Sequence, residues 1–202
     1  SGLFTPWFRA VGATIPGVPG MIVGRTDRIA VGVTSACSDA QDLFIETLDP
    51  RRPDRYLDGG VSRPFRVVSE TIRIRDRKAP GGFREERIRV RLTGRGPVIS
   101  GLLPGPIPAQ VVTVRWSPFE TMGPSLGPER LLAARSVPEV RGALKHVTTI
   151  MLDVVFADAD GRIGRQTTGR LPIRARGDGR LPVEVGGGSD PWRGWIPYAR
   201  MP

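Results

Sequence analysis

Two stretches of strict alternation stand out along the chain. Thr71-Ile72-Arg73-Ile74-Arg75 sets Ile72 and Ile74 on one side, and Arg87-Ile88-Arg89-Val90-Arg91-Leu92 sets Ile88, Val90 and Leu92 on one side. A period of two belongs to a β-strand, so each predicts a half-buried strand with arginine on its wet face. Pro80-Gly81-Gly82, inside residues 76–83, supplies the turn that closes the two into a hairpin. An arginine face of this kind either binds phosphates or is the solvated side of an ordinary sheet, and without interleaved exposed aromatics the second reading is preferred.

The remaining pattern is also one of short strands. Residues 12–20 read Gly-Ala-Thr-Ile-Pro-Gly-Val-Pro-Gly, a turn-rich loop in which proline removes donors and glycine permits positive φ. Residues 21–24 and 29–33 read as short apolar strands around a turn at 25–28. Residues 42–48 continue as a strand with Leu43 and Ile45 as its apolar positions. Two helical segments are expected. One covers 128–135. The other starts at the capping box Ser136-Val137-Pro138-Glu139 and runs to about Lys145. Residues 150–156 form an apolar strand, 157–161 a turn, and Arg162-Ile163-Gly164 begins the return. Asp158 and Asp160 resemble half a calcium loop, but the downstream Glu is missing and a plain hairpin turn is the expectation. From Gly177 onward the chain reads as loop, with Trp192 and Trp195 in it.

Composition narrows the function classes. The 202 residues, 39% hydrophobic and 25% charged, suit one domain with a real core, and 26 Gly and 20 Pro favour strands joined by turns. No internal repeat or clear linker divides residues 1–202. The net charge of +10 admits nucleic acid, an anionic membrane or an acidic partner, yet the arginines are spread rather than blocked, which points to no specific nucleic acid. The single cysteine, Cys37, excludes an internal disulfide and paired-cysteine zinc sites, and the single histidine, His146, excludes most His-based metal sites and triads. No run approaches a membrane span, and no signal peptide opens the sequence.

Several motifs, in order from about Gly12 to Pro202, resemble the large (β) chain of the penicillin acylase family, which includes acyl-homoserine-lactone acylases. Residues 12–20 resemble the loop that ends Pro-Gly-x-Pro-Gly. Gly24-Arg25-Thr26-Asp27-Arg28-Ile29-Ala30-Val31-Gly32-Val33-Thr34 is similar to Gly-x-Asn-Asp-x-Ile-Ala-Trp-Gly-x-Thr, with Thr26 and Val31 departing from it. Asp39-Ala40-Gln41-Asp42-Leu43-Phe44-Ile45-Glu46 is close to Asp-x-Gln-Asp-Leu-Tyr-x-Glu. Thr93-Gly94-Arg95-Gly96-Pro97-Val98-Ile99 follows Thr-x-His-Gly-Pro-Val-Ile with Arg95 in place of His. Phe156-Ala157-Asp158-Ala159-Asp160-Gly161-Arg162-Ile163-Gly164 and Trp192-Arg193-Gly194-Trp195-Ile196-Pro197-Tyr198 match later runs.

The resemblance implies an α+β, β-rich fold, part of the four-layer α-β-β-α sandwich of N-terminal-nucleophile hydrolases. It implies a linear-amide hydrolase that removes a hydrophobic acyl group from an amine such as a β-lactam or homoserine lactone. The small-molecule amide and an α-chain cut from the same precursor would be its partners, in the periplasm or outside the cell. Ser1 takes the place of the nucleophile, with its own α-amino group as base, although the family spends a strand pair before the Pro-Gly loop and this chain does not. The backbone N–H of Ser35 takes the place of one oxyanion donor. The other donor is an asparagine later in the family's order, and this sequence contains no asparagine. Val33 and Leu152 align with the acyl pocket, where core packing is the competing reading. Asp39, the carbonyl of Gln41, Asp42 and the carbonyl of Gly179 align with ligands of a structural calcium, where turn capping competes. Beside the acylase stands a second reading, a non-catalytic basic β-rich binding module.

Overall fold

The short apolar strand expected at residues 29–33 becomes the strand Ile29–Ser35 at the middle of a six-stranded antiparallel sheet in the computed structural model, which describes residues 2–6, 9–103, 110–123, 125–186 and 191–201. Among the described residues strands make up 48% and helices 15%. The contacts divide it into two units. One comprises Ser1–Ala40, Ser117–Ile173 and Gly194–Pro202, and the other Gln41–Trp116 and Arg174–Arg193.

In the first unit the sheet order is Gly2–Phe4, Arg9–Ala13, Val23–Thr26, Ile29–Ser35, Leu152–Asp158, Ile163–Thr167, each strand antiparallel to its neighbours. One face buries Ile29, Val31, Val154 and Phe156 against Leu131, Ala134 and the Val140, Ala143 and Leu144 side of helix Val137–Leu144. Each such side chain taken fully from water is worth about 1.5–3 kcal/mol. The strand expected at 21–24 lies later, at Val23–Thr26, and the turn contracts to Asp27 and Arg28. Gly12 and Gly24 face each other across strands 9–13 and 23–26. A Cβ on Gly12 would sit 2.2 Å from the Val23 carbonyl, and one on Gly24, at φ +146°, 2.3 Å from the Val11 carbonyl. Only glycine allows that approach, and the buried Met21 sulfur lies against the pair.

Two helical expectations change in kind. Residues Pro128–Ala133 form a 3-10 helix rather than an α-helix. Helix Val137–Leu144 has no cap from Ser136, whose hydroxyl donates instead to Glu139 Oε1 (3.0 Å), while Glu139 Oε2 accepts the Arg135 N–H (3.0 Å). The cap comes from outside the helix. Asp158 Oδ2 accepts the Val137 N–H (3.0 Å), and Asp158 Oδ1 accepts the N–H groups of Asp160 and Arg162 (3.1 and 3.0 Å). These donors, Val137 first, hold the Asp158 carboxyl below its ordinary range against the opposing effect of burial. Asp158 therefore closes a hairpin turn and starts a helix.

In the second unit the strand predicted at 42–48 is Gln41–Glu46, paired antiparallel with Val111–Trp116 and parallel with Val183–Glu184. Its buried face is the reverse of expectation. Asp42, Phe44 and Glu46 point inward, and Leu43 and Ile45 are half-buried. The arginine hairpin forms as Arg66–Arg75 and Phe83–Thr93, longer than the alternation alone suggests, with Ile72 44% exposed rather than covered. Residues after Gly177 include the strands Val183–Glu184 and Trp192–Trp195.

Candidate functional site

The end of strand Ile29–Ser35 brings together three of the residues singled out in the sequence. In the ladder with Leu152–Asp158, Ser35 faces Leu152 and Val33 faces Val154, so Val33, Ser35 and Leu152 lie on one face of the sheet. This is the face of Ile29 and Val31. Val33 and Leu152 are half-buried at the margin of the core cluster, and Ser35 is exposed.

The direction of the Ser35 N–H follows from its neighbours. Both main-chain groups of Leu152 turn toward Thr168, the carbonyl accepting from the Thr168 N–H (2.8 Å) and the N–H donating to Thr168 Oγ1 (3.1 Å). In an antiparallel ladder bonded and unbonded pairs alternate. Ala36 donates to Met151 (3.3 Å), so the Ser35–Leu152 pair between the bonded positions is unbonded. The Ser35 N–H thus points to the opposite edge of its strand. There the ladder with Val23–Thr26 covers only Ala30 and Val31. The result is a backbone donor at a strand end, outside the ladder, on the edge away from Leu152, while Val33 and Leu152 share the sheet face with the Ser35 side chain. Thr168, fully buried, also donates to the Ile150 carbonyl (2.7 Å) and holds this end in place. Thr168 was not picked out from the sequence, and its one signal there is a Thr-Thr pair closing the return strand.

Just beyond, the Ser35 hydroxyl accepts the Cys37 N–H (3.4 Å), and Cys37 takes a φ of +47°, which turns the loop sharply. Cys37 and His146 are both exposed and no hydrogen bond among the described residues joins them. Ser1, the nucleophile candidate, lies outside the described residues.

The four calcium candidates divide between the units. Asp39 is exposed in the loop of the first unit, while Gln41, Asp42 and Gly179 belong to the second. Among the described residues no three His, Cys, Asp or Glu side chains converge on a point that could hold a metal. Asp42 is buried, and its carboxylate accepts from Arg174 Nε (3.2 and 2.9 Å) and Trp192 Nε1 (2.5 Å). Calcium takes six to eight oxygens, and a cation at Asp42 would sit beside a guanidinium. These residues by themselves do not fit the ion. Arg174 and Trp192 lie 132 and 150 residues from Asp42 in sequence, so no local pattern announced them.

A second buried polar cluster was also not foreseen. Glu46 Oε1 accepts from Thr93, Thr113 and Arg95 (2.9, 2.8 and 3.0 Å), Glu46 Oε2 accepts from Arg95 (2.5 Å), and Arg95 reaches on to Asp58 (3.0 Å). The Tyr56 hydroxyl accepts the Gly94 N–H (3.0 Å) beneath it. Burial works against the Arg95 charge, yet Glu46 and Asp58 raise its affinity for the proton above the usual value. With every partner satisfied, this cluster is structural.

Comparison with known proteins agrees with the motifs. The profile described as penicillin amidase matches residues 1–202. The chain is 32% identical over 198 residues to the penicillin acylase 2 proenzyme of Pseudomonas sp. (strain SE83), a match covering 96% of this chain and 24% of that protein. It is 31% identical over 202 residues to the acyl-homoserine lactone acylase QuiP of Pseudomonas aeruginosa, covering 95% of this chain and 23% of that one. Among solved structures, a thermostable penicillin G acylase from Alcaligenes faecalis superposes with a TM-score of 0.81 at 26% identity, over 100% of this chain and 35% of that chain. The chain thus spans about a quarter of the length of the curated relatives it matches.

Proposed function

The chain belongs to the penicillin amidase family, and from that premise we propose that it serves an acylase, hydrolysing a linear amide to a hydrophobic carboxylic acid and a free amine. The carrying observation is the Ser35 N–H, turned out of the ladder at a strand end whose sheet face carries Val33 and Leu152.

In this reading Ser1 Oγ attacks the amide carbon and its proton passes to the Ser1 α-amino group, whose ordinary pKa of about 7.7–8.0 suits the exchange. The carbonyl oxygen becomes an oxyanion and accepts the Ser35 N–H. Collapse of the tetrahedral species breaks the C–N bond, and the amine leaves with the proton held by the α-amino group. Water then releases the acid from the seryl ester by the same route in reverse. Val33 and Leu152 line the wall for the acyl chain, and small aliphatic side chains there suit an aromatic or aliphatic acyl group. The family's second oxyanion donor would be an asparagine, a residue type absent from these 202 residues. An α-chain would complete the pocket. Penicillin and acyl-homoserine lactone are the compounds in the relatives' names, and amides of a β-lactam amine or of homoserine lactone are the candidates here.

The test is peptide mapping after treatment of the mature protein with a serine-directed sulfonyl fluoride, alongside hydrolysis of phenylacetyl and fatty-acyl chromogenic amides. A single adduct on Ser1, with turnover that disappears in Ser1→Ala, supports the reading. Turnover that survives Ser1→Ala would contradict it.

A further inference from the structure

The hairpin Arg66–Arg75 and Phe83–Thr93 has no part in the acylase reading, and its two faces differ sharply in chemistry. The register pairs Arg75 with Phe83, Arg73 with Glu85, Thr71 with Arg87, Ser69 with Arg89 and Val67 with Arg91. Alternation puts all ten on one face. Five are arginines, Arg73, Arg75, Arg87, Arg89 and Arg91, and all five are exposed. Glu85 is the one acid among them. The face runs about 27 Å along the strands, with arginines two residues apart on each strand spaced by roughly 6.7 Å. Residues 66–93 carry nine Lys and Arg against four Asp and Glu, so this hairpin holds +5 of the chain's +10. Among the described residues its ion pairs reduce to Arg84 with Glu86, on the other face.

Aromatic and apolar groups are set into the basic face. Phe83, at the tip of the hairpin, is 44% exposed with the Arg73 guanidinium 4.7 Å over its ring, and Val67 at the far end is 42% exposed. Arg91 lies 5.0 Å over Phe65. The connecting turn adds Arg77 and Lys78. A row of guanidinium forks, each able to take a phosphate in bidentate fashion, together with an exposed aromatic at the tip is the chemistry of a membrane-surface contact. Nucleic acid fits less well. Strand-tracking binders stack successive bases on several aromatic faces, and the ten residues of this face include one aromatic, Phe83, with Arg73 over one side of its ring.

We propose that the arginine face of this hairpin docks on an anionic phospholipid surface. The chain should sediment with vesicles of phosphatidylcholine containing one third phosphatidylglycerol, not with phosphatidylcholine alone, and release as salt rises. Replacing Arg87 and Arg89 together by Gln should weaken binding about twenty-five-fold, at roughly fivefold per arginine near an anionic surface. The pair Arg176→Gln and Arg180→Gln, exposed in the same unit and equal in charge change, should alter it less than about twofold. Unchanged thermal unfolding of each variant guards against a loss of fold. Three results would each overturn the proposal: no sedimentation with the anionic vesicles, equal losses from the two arginine pairs, or tighter binding to a single-stranded oligonucleotide in the same buffer.

Discussion

The strands Ile29–Ser35 and Gln41–Glu46 follow one another in the chain, and both bury every second residue, yet they bury opposite chemistries. The first turns Ile29, Val31 and Val33 inward against a helix, so its stability comes from apolar area. The second turns Asp42, Phe44 and Glu46 inward, and each carboxylate is met by an arginine, Asp42 by Arg174 and Glu46 by Arg95. A buried ion pair adds little net stability over an apolar pair of the same shape, but it is costly to break halfway. The first strand should therefore tolerate truncation in proportion to the area lost. The second should fail when one partner is removed.

The largest effect expected is at Arg95. Arg95→Ala strands the Glu46 carboxylate, whose side chain is fully buried, and should cost about 3–5 kcal/mol in denaturant unfolding. A loss below about 1 kcal/mol would show that water reaches Glu46 and that the contrast between the strands is overstated. On the apolar strand, Val31→Ala should cost about 2 kcal/mol, the transfer of the lost methyls plus a small cavity. Chemical denaturation of the two variants side by side measures the gap.

An intermediate case lies at the far end of the first strand's own ladder, where Asp158 faces Ile29. Its carboxylate is met by three backbone N–H groups, with the largely exposed Arg162 guanidinium at a longer 3.7 Å. Because the folded-state pKa is depressed, Asp158 contributes stability above the ordinary aspartate value of about 3.9, and that contribution is lost as pH falls through the lower folded value. Asp158→Asn should flatten the acid limb of a stability-versus-pH curve below about pH 4. An unchanged acid limb would assign it to other carboxylates.

Much of the first strand was legible in the sequence because its determinants are local. The apolar residues at 29–33 and the turn read at 25–28 lie next to one another, and the arginine hairpin and the helix expected from 136 to about 145 follow from similarly local patterns. The second strand was misread for a physical reason. Leu43 and Ile45 look like the core face until Arg95 and Arg174, 49 and 132 residues away from their carboxylate partners, are brought in to neutralise Glu46 and Asp42. The helix cap was misassigned for the same reason, since Asp158 is 21 residues from the N–H it accepts. At the candidate site, resemblance singled out Ser35, Val33 and Leu152, and the ladder puts them on one face. The outward turn of the Ser35 N–H depends on Thr168, which no motif contains.

That N–H is the center of the acylase reading, and it can be deleted. Ser35→Pro removes the donor at a position where the ladder does not use it, while Ser35→Ala keeps it and removes only the hydroxyl. The measurement is kcat and KM on a chromogenic acyl amide, with the whole mature protein and with thermal unfolding followed in parallel. The account predicts that Ser35→Pro unfolds at the wild-type temperature but loses about 10²–10³ in kcat with KM little changed, while Ser35→Ala stays within a few-fold. A folded Ser35→Pro protein with wild-type kcat would contradict it.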